Sequence, residues 1–275
     1  MRIGELEIAI IDIITFTGIL ITLLTGVLNL FQNKKTLYIN NITRFRVIWI
    51  TTLRTHIASL KELSNITNLY IRTKDGTNKI EYRRDLDKIV SLIKMHLNFT
   101  GKLDIELISK VEELKATLNS YLLIYYCKNT IKSAENDGDI LTKFYEAIDV
   151  ISEKKILKEF LTMADNYNKV EQKSDSYSLN LLEFKNEVKS AYKDNPELIK
   201  HMLEKSDYIV SNYENEIESL NRDIDELVQI CLKAEWIRCK VETRIWPYNK
   251  YDEEKVVAKL KNEYKNIKHK MQTYK

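Results

Sequence analysis

Residues Ile13 to Phe31 read IITFTGILITLLTGVLNLF, without a charge or a proline. As a helix, these 19 residues reach roughly 28 Å, close to the ~30 Å hydrocarbon core of a bilayer. Extending the run back to Ile8 takes in Asp12, and the segment Ile8–Phe31 is expected to be a transmembrane helix. A buried core helix is the alternative. No other part of the chain has an apolar run of this length, which argues against it. A cleaved signal peptide would carry its positive charge before the run and small residues after it. Here Glu5, Glu7 and Asp12 precede the run, and Lys34 and Lys35 follow it.

The flanks also orient the span. From Ile13 through Lys61 there is no Asp or Glu, while Lys34, Lys35, Arg44, Arg46, Arg54 and Lys61 are basic. Lys and Arg favour the cytoplasmic side of a single span. The N-terminus is therefore expected outside, and the bulk of the chain in the cytoplasm beneath a bacterial inner membrane.

Within the span, Thr15, Gly18, Thr22, Thr25 and Asn29 recur every three or four residues. That period places them on one helical face. Three readings are open. Thr is tolerated in a membrane because its hydroxyl bonds its own helix. Small and polar residues also let helices approach closely and bond across a seam. In a ring of helices the same face would line a conduit. Asn29 carries most information, because an amide at this depth is costly without a partner.

Composition bounds the remainder. Only 6 glycines and 2 prolines occur in 275 residues, which points to long helices. Charged residues make up 30% and nearly cancel, at net +3, so charge alone does not mark a nucleic-acid binder. Cys127, Cys231 and Cys239 are too scattered for a disulfide framework or a zinc site. The expected fold is all-α: an N-terminal transmembrane helix followed by a cytoplasmic helical bundle with one very long helix. The expected partition is 1–33 for the tail and span, 34–247 for the helical domain, and 248–275 for a basic C-terminal helix.

Periodicity supplies the elements. Asn40 or Asn41 is expected to cap a helix whose inward stripe is Ile42, Phe45, Trp49, Leu53, Ile57 and Leu60. Its basic residues Arg44, Arg46 and Arg54 form a candidate face for lipid or another polyanion, together with Lys34 and Lys35. Thr73–Gly76 reads as a turn. Helices are expected over Ile80–Leu97, Leu103–Lys132, Ile140 to about Glu171, and Leu179–Tyr192. Asn136–Gly138 reads as a turn. From Pro196 to Ile245 no breaker occurs, so one helix of ~50 residues is expected. Asp252 should cap a last helix to about Met271, rich in lysine.

No enzyme emerges from this pattern. The histidines His56, His96, His201 and His269 are far apart in sequence, and no nucleotide-binding, nucleophile-elbow or zinc-protease motif occurs. No catalytic residue, metal or cofactor is nominated. Tyr70-Ile-Arg72 and Tyr82-Arg83-Arg84 pair aromatic with basic residues, a composition that suits single-stranded nucleic acid but is also common on lysine-rich helical proteins. Glu235, Arg238 and Glu242 share a face and read as a surface ion-pair run.

A span followed by Ile42-Thr-Arg44 and Trp49-Ile-x-x-Leu-Arg54, with Ala234-Glu-Trp-Ile-Arg238-x-Lys240-Val-Glu242 near the end, resembles a bacterial group. These are small membrane-anchored all-helical proteins of anti-phage defence operons, among them the transmembrane effectors of Hailong-type systems. The resemblance covers about residues 8–60 and 225–245. It implies a membrane effector that forms a homo-oligomer, conducts ions and depolarises the host. It further implies a nucleotidyltransferase partner and control by a short deoxyadenylate oligonucleotide. The alternative is a single-span anchor whose helical domain scaffolds a partner protein.

Overall fold

The computed structural model describes residues 3–73, 78–98, 101–152, 154–162, 180–193, 196–242 and 251–273. Among these residues the structure is helical, with no strand. The first helix, α1, runs Ile3–Tyr38, longer at both ends than the expected span. Its 36 residues measure about 54 Å. It does not break at Asn40 or Asn41. A π-helical turn, Ile39–Thr43, leads directly into α2, Arg44–Ser64. Asparagine is a good cap only where the chain stops being helical. Here the wider turn absorbs an additional residue and the helix continues.

The chain divides into two compact units, one of Met1–Thr55 with Val228–Lys275, the other of His56–Leu227. A distant stretch of chain thus returns to the first unit.

The unit His56–Leu227 is an antiparallel bundle. It contains the end of α2, then α3 (Ile66–Thr73), α4 (Asn78–His96), α5 (Lys102–Lys132), α6 (Asp137–Val150), α7 (Lys154–Thr162) and α8 (Leu181–Tyr192). It ends within α9, Pro196–Glu242, a helix of 47 residues. Pro196 opens α9, where a missing N–H costs nothing. The expected continuation to Ile245 lies outside the described residues.

Side-chain pairs set the direction of each packing. Along α5, Lys110, Thr117, Tyr121 and Lys128 meet Asp223, Glu216, Glu214 and Asp207 of α9 in turn. As one number rises the other falls, so α5 and α9 are antiparallel. Lys94–Glu112 and Lys115–Asp87 set α4 against α5 the same way. Lys61–Asp225 and Ser64–Asn221 do so for α2 and α9. Exposed pairs of this kind contribute ~0–1 kcal/mol each. The stability comes from the apolar stripe they flank. Leu107, Val111, Leu114 and Leu118 of α5 are fully buried, as are Leu86 and Ile93 of α4. Ile108 and Tyr125 flank this stripe and are only half-buried.

The expected helix Ile140–Glu171 is broken. Asn136–Gly138 is not a free turn but the start of α6, with Asn136 accepting from the Asp139 N–H at 2.9 Å. α6 ends at Ile151, which is extended and fully buried. Two lysines of α8 hold that end: Lys185 donates to the Asp149 carbonyl at 2.9 Å, and Lys189 meets the Asp149 carboxylate at 2.7 Å. Cations at a helix C-terminus satisfy its open carbonyls and its dipole. Residues 163–171 of the expected helix lie outside the described residues.

α8 itself opens with a reciprocal cap. Asn180 accepts from the Glu183 N–H at 2.9 Å, and Glu183 accepts from the Asn180 N–H at 3.1 Å. Asn180→Ala should cost ~1 kcal/mol. The amide protons of α8 should then exchange about fivefold faster. Unchanged exchange would show that packing, not the cap, holds this helix.

In the other unit, α10 runs Glu253–Thr273 and Asp252 caps it, accepting from the Lys255 N–H at 3.2 Å. α9 and α10 are joined by Lys233–Glu263 at 3.0 Å. Tyr251 donates to the Ala234 carbonyl at 3.3 Å, under the Arg238 guanidinium. Burial, and next the charge of Glu235, raise the Tyr251 hydroxyl pKa to about 12. In α2, Ile50 and Leu53 are buried, but Phe45 is 71% exposed. Of the expected stripe, Leu53, Ile57 and Leu60 are buried and Ile42 and Trp49 half-buried, so Phe45 is the member that turns away from the core.

Candidate functional site

One described helix is long and apolar enough to cross a membrane, and the apolar window within it has no buried residue. Its large side chains, such as Phe16, Leu23 and Leu28, are exposed. In water that exposure is unfavourable, at about 25 cal/mol per Å² of apolar surface. In hydrocarbon it is not.

Thr15, Gly18, Thr22, Thr25 and Asn29 all lie on α1 and are all exposed. Around Gly18, a Cβ would meet nothing within 4 Å, so that face is open to close approach. The threonine protons are already committed. Thr22 donates to the Gly18 carbonyl and Thr25 to the Ile21 carbonyl, both at 2.8 Å. What these hydroxyls present outward is oxygen lone pairs. Because α1 continues to Tyr38, the same spacing runs on through Gln32 and Thr36.

The basic residues separate by depth. Along a continuous helix, Lys34 and Lys35 lie roughly 5 Å beyond Phe31, whereas Arg44 and Arg46 lie about 20 Å beyond it and Arg54 about 35 Å. Lys34, Arg44 and Arg54 are exposed, and Lys35 is half-buried. Arg46 is half-buried too, with its Nη1 shielded from solvent. Arg44, Arg46 and Arg54 are thus set apart from the two lysines along the helix. An open groove of about 500 Å³ lies at the π-helical turn, lined by Ile39, Asn40, Thr43, Arg44, Val47 and Ile48.

Elsewhere, several of the described polar residues are engaged within the fold. Tyr82 is buried and donates to the Leu63 carbonyl at 3.0 Å, so it is a core residue and not a stacking platform. Tyr213 donates to the Glu159 carboxylate at 2.7 Å. Burial first, and that bond next, push its hydroxyl pKa upward. Tyr70 is half-exposed and packs edge-on against Tyr125. Arg238 pairs with Glu235 at 3.4 Å. All three cysteines are buried thiols outside any disulfide.

Two histidines distant in sequence do meet. The rings of His56 and His96 stand 5.8 Å apart, edge to face. Burial, then the neighbouring His96, hold the His56 imidazole below its usual pKa. Among the described residues no group of three or more His, Cys, Asp or Glu side chains is placed to hold a metal.

No protein-family model, no curated protein and no solved structure matches this chain. The likeness to defence effectors rests on its short motifs alone.

Proposed function

We propose that this chain is a single-span protein of a bacterial inner membrane that assembles through the polar face of α1 into an ion-conducting effector of anti-phage defence. The N-terminus lies outside and the helical bundle in the cytoplasm, as the lysines after the span direct. The bundle acts as gate and sensor, answering a nucleotide or short single-stranded DNA ligand made by a nucleotidyltransferase-type partner. The observation that carries the reading is the row Thr15, Gly18, Thr22, Thr25 and Asn29, exposed along a helix whose other faces are apolar. Threonine oxygens with their protons turned inward, and an asparagine amide, partly replace the hydration shell of a passing ion.

The double substitution Thr25→Leu with Asn29→Leu tests this. Both changes favour insertion, and a leucine ring at the axis would dewet the conduit. Host depolarisation and single-channel current should be abolished while the membrane-bound amount stays constant. Undiminished depolarisation would sink the channel reading. A second reading is then preferred, in which α1 is an anchor and the bundle scaffolds a partner. The intrahelical bonds of Thr22 and Thr25 favour it, since such threonines require no neighbour.

A further inference from the structure

Two ties hold α2 to α4. Near the start of α4, Tyr82 donates to the Leu63 carbonyl at 3.0 Å. At the last residue of α4, His96 stands edge-on to His56, with ring centres 5.8 Å apart. Both ties lie within the unit His56–Leu227. Between them the inward side chains, among them Ile57, Leu60, Leu86 and Ile93, are buried. The ties differ in chemistry. A phenol on a carbonyl keeps its proton from about pH 5 to 8, whereas an imidazole changes charge inside that range. Both imidazole rings are half-buried, so solvent screens a charge on either one poorly.

We infer that the His56–His96 contact is an acid-sensitive latch: it closes this end of the α2–α4 seam while at most one imidazole is charged, and opens it when both are. The groups around it do not relieve that repulsion. On α2 there is no Asp or Glu before Glu62, and Arg54 is exposed. Lys61 is taken by Asp225 of α9. Asp225 and its neighbour Glu226 thus lie opposite Lys61, roughly 8 Å along α2 from His56. On α4, Lys94 pairs with Glu112 of α5 at 2.6 Å. On α5, Asp104 accepts from the Asn98 N–H at 2.9 Å. Burial, and after it the charge of His96, hold the His56 imidazole below its ordinary pKa. A histidine depressed in this way stabilises the fold fully above its unfolded pKa of about 6.5, and that contribution is lost as pH falls below it. Acid therefore weakens the histidine end of the seam and spares the Tyr82 end.

Amide hydrogen exchange of the full chain in detergent micelles tests the latch, with rates referred to the intrinsic rate at each pH. From about pH 7.5 to about pH 5.5, protection of Thr52–Leu60 should fall several-fold while that of Tyr82–Leu86 holds. His56→Phe keeps a ring at the contact and removes the titrating group. In that variant, and in His96→Gln, the loss should vanish, with helicity at neutral pH retained by circular dichroism. Should one of the two fail to fold, the other decides. His201 is an exposed histidine of α9, and His201→Gln should respond to acid as the wild type does. Protection of Thr52–Leu60 that acid leaves unchanged would overturn the proposal. So would an undiminished loss in His56→Phe or His96→Gln. An equal loss at Tyr82–Leu86 would mean general acid unfolding and overturn it too. None of these results depends on channel current, so the latch and the channel reading stand or fall separately.

Discussion

Arginine at both Leu20 and Leu24 should release the chain from the membrane. The two positions are near the middle of the run and are 49% and 53% exposed. At the centre of a span, exchanging leucine for arginine costs roughly 3–4 kcal/mol, so the pair costs about 6–8 kcal/mol before any snorkelling. Carbonate-washed membranes should retain the wild-type chain and lose the double variant. The same exchange at Phe45, outside the apolar run Ile13–Phe31, should leave the retained amount unchanged. Retention of the Leu20/Leu24 variant would mean that α1 does not cross the bilayer.

The second large effect is in the bundle. Leu118 is fully buried in α5, between the pairs that set α5 against α9. Leu118→Ala removes its contacts and leaves a cavity, a loss of roughly 2–5 kcal/mol. For a unit of this size the thermal midpoint should fall by about 5–20 °C. Ile105, on the same helix but 50% exposed, serves as the control, and Ile105→Ala should shift the midpoint by a degree or two at most. Equal shifts for the two variants would mean that the α5 core is wrongly assigned.

What the sequence reveals follows from how local each cause is. The long apolar helix is legible because length and composition mark it. α9 is legible because its 3-or-4 spacing persists from Met202 to Ala234 without a breaker. The end of α6 is hidden, because the lysines that satisfy it belong to α8, some forty residues later. The π-helical turn is hidden for another reason: Asn40-Asn41 is good capping sequence, and only the continuing helix shows that no cap is needed. The face of α1 could be drawn from spacing, and the structure lengthens it past Phe31. The groove and its neighbour Phe45 could not be drawn, because an extra residue in one turn changes which side chains share a side.

The antiparallel pairing of α2 with α9 has a topological consequence. The chain leaves at Ser64 and returns at Asn221, where the two side chains are 2.9 Å apart. Everything between them is a closed excursion, inserted into what is otherwise a helical hairpin. Such an insert can be exchanged or shortened without unthreading its host, since its entrance and exit are already neighbours. The bundle is a cassette: a different one of equal end-to-end separation would fit the same two helices.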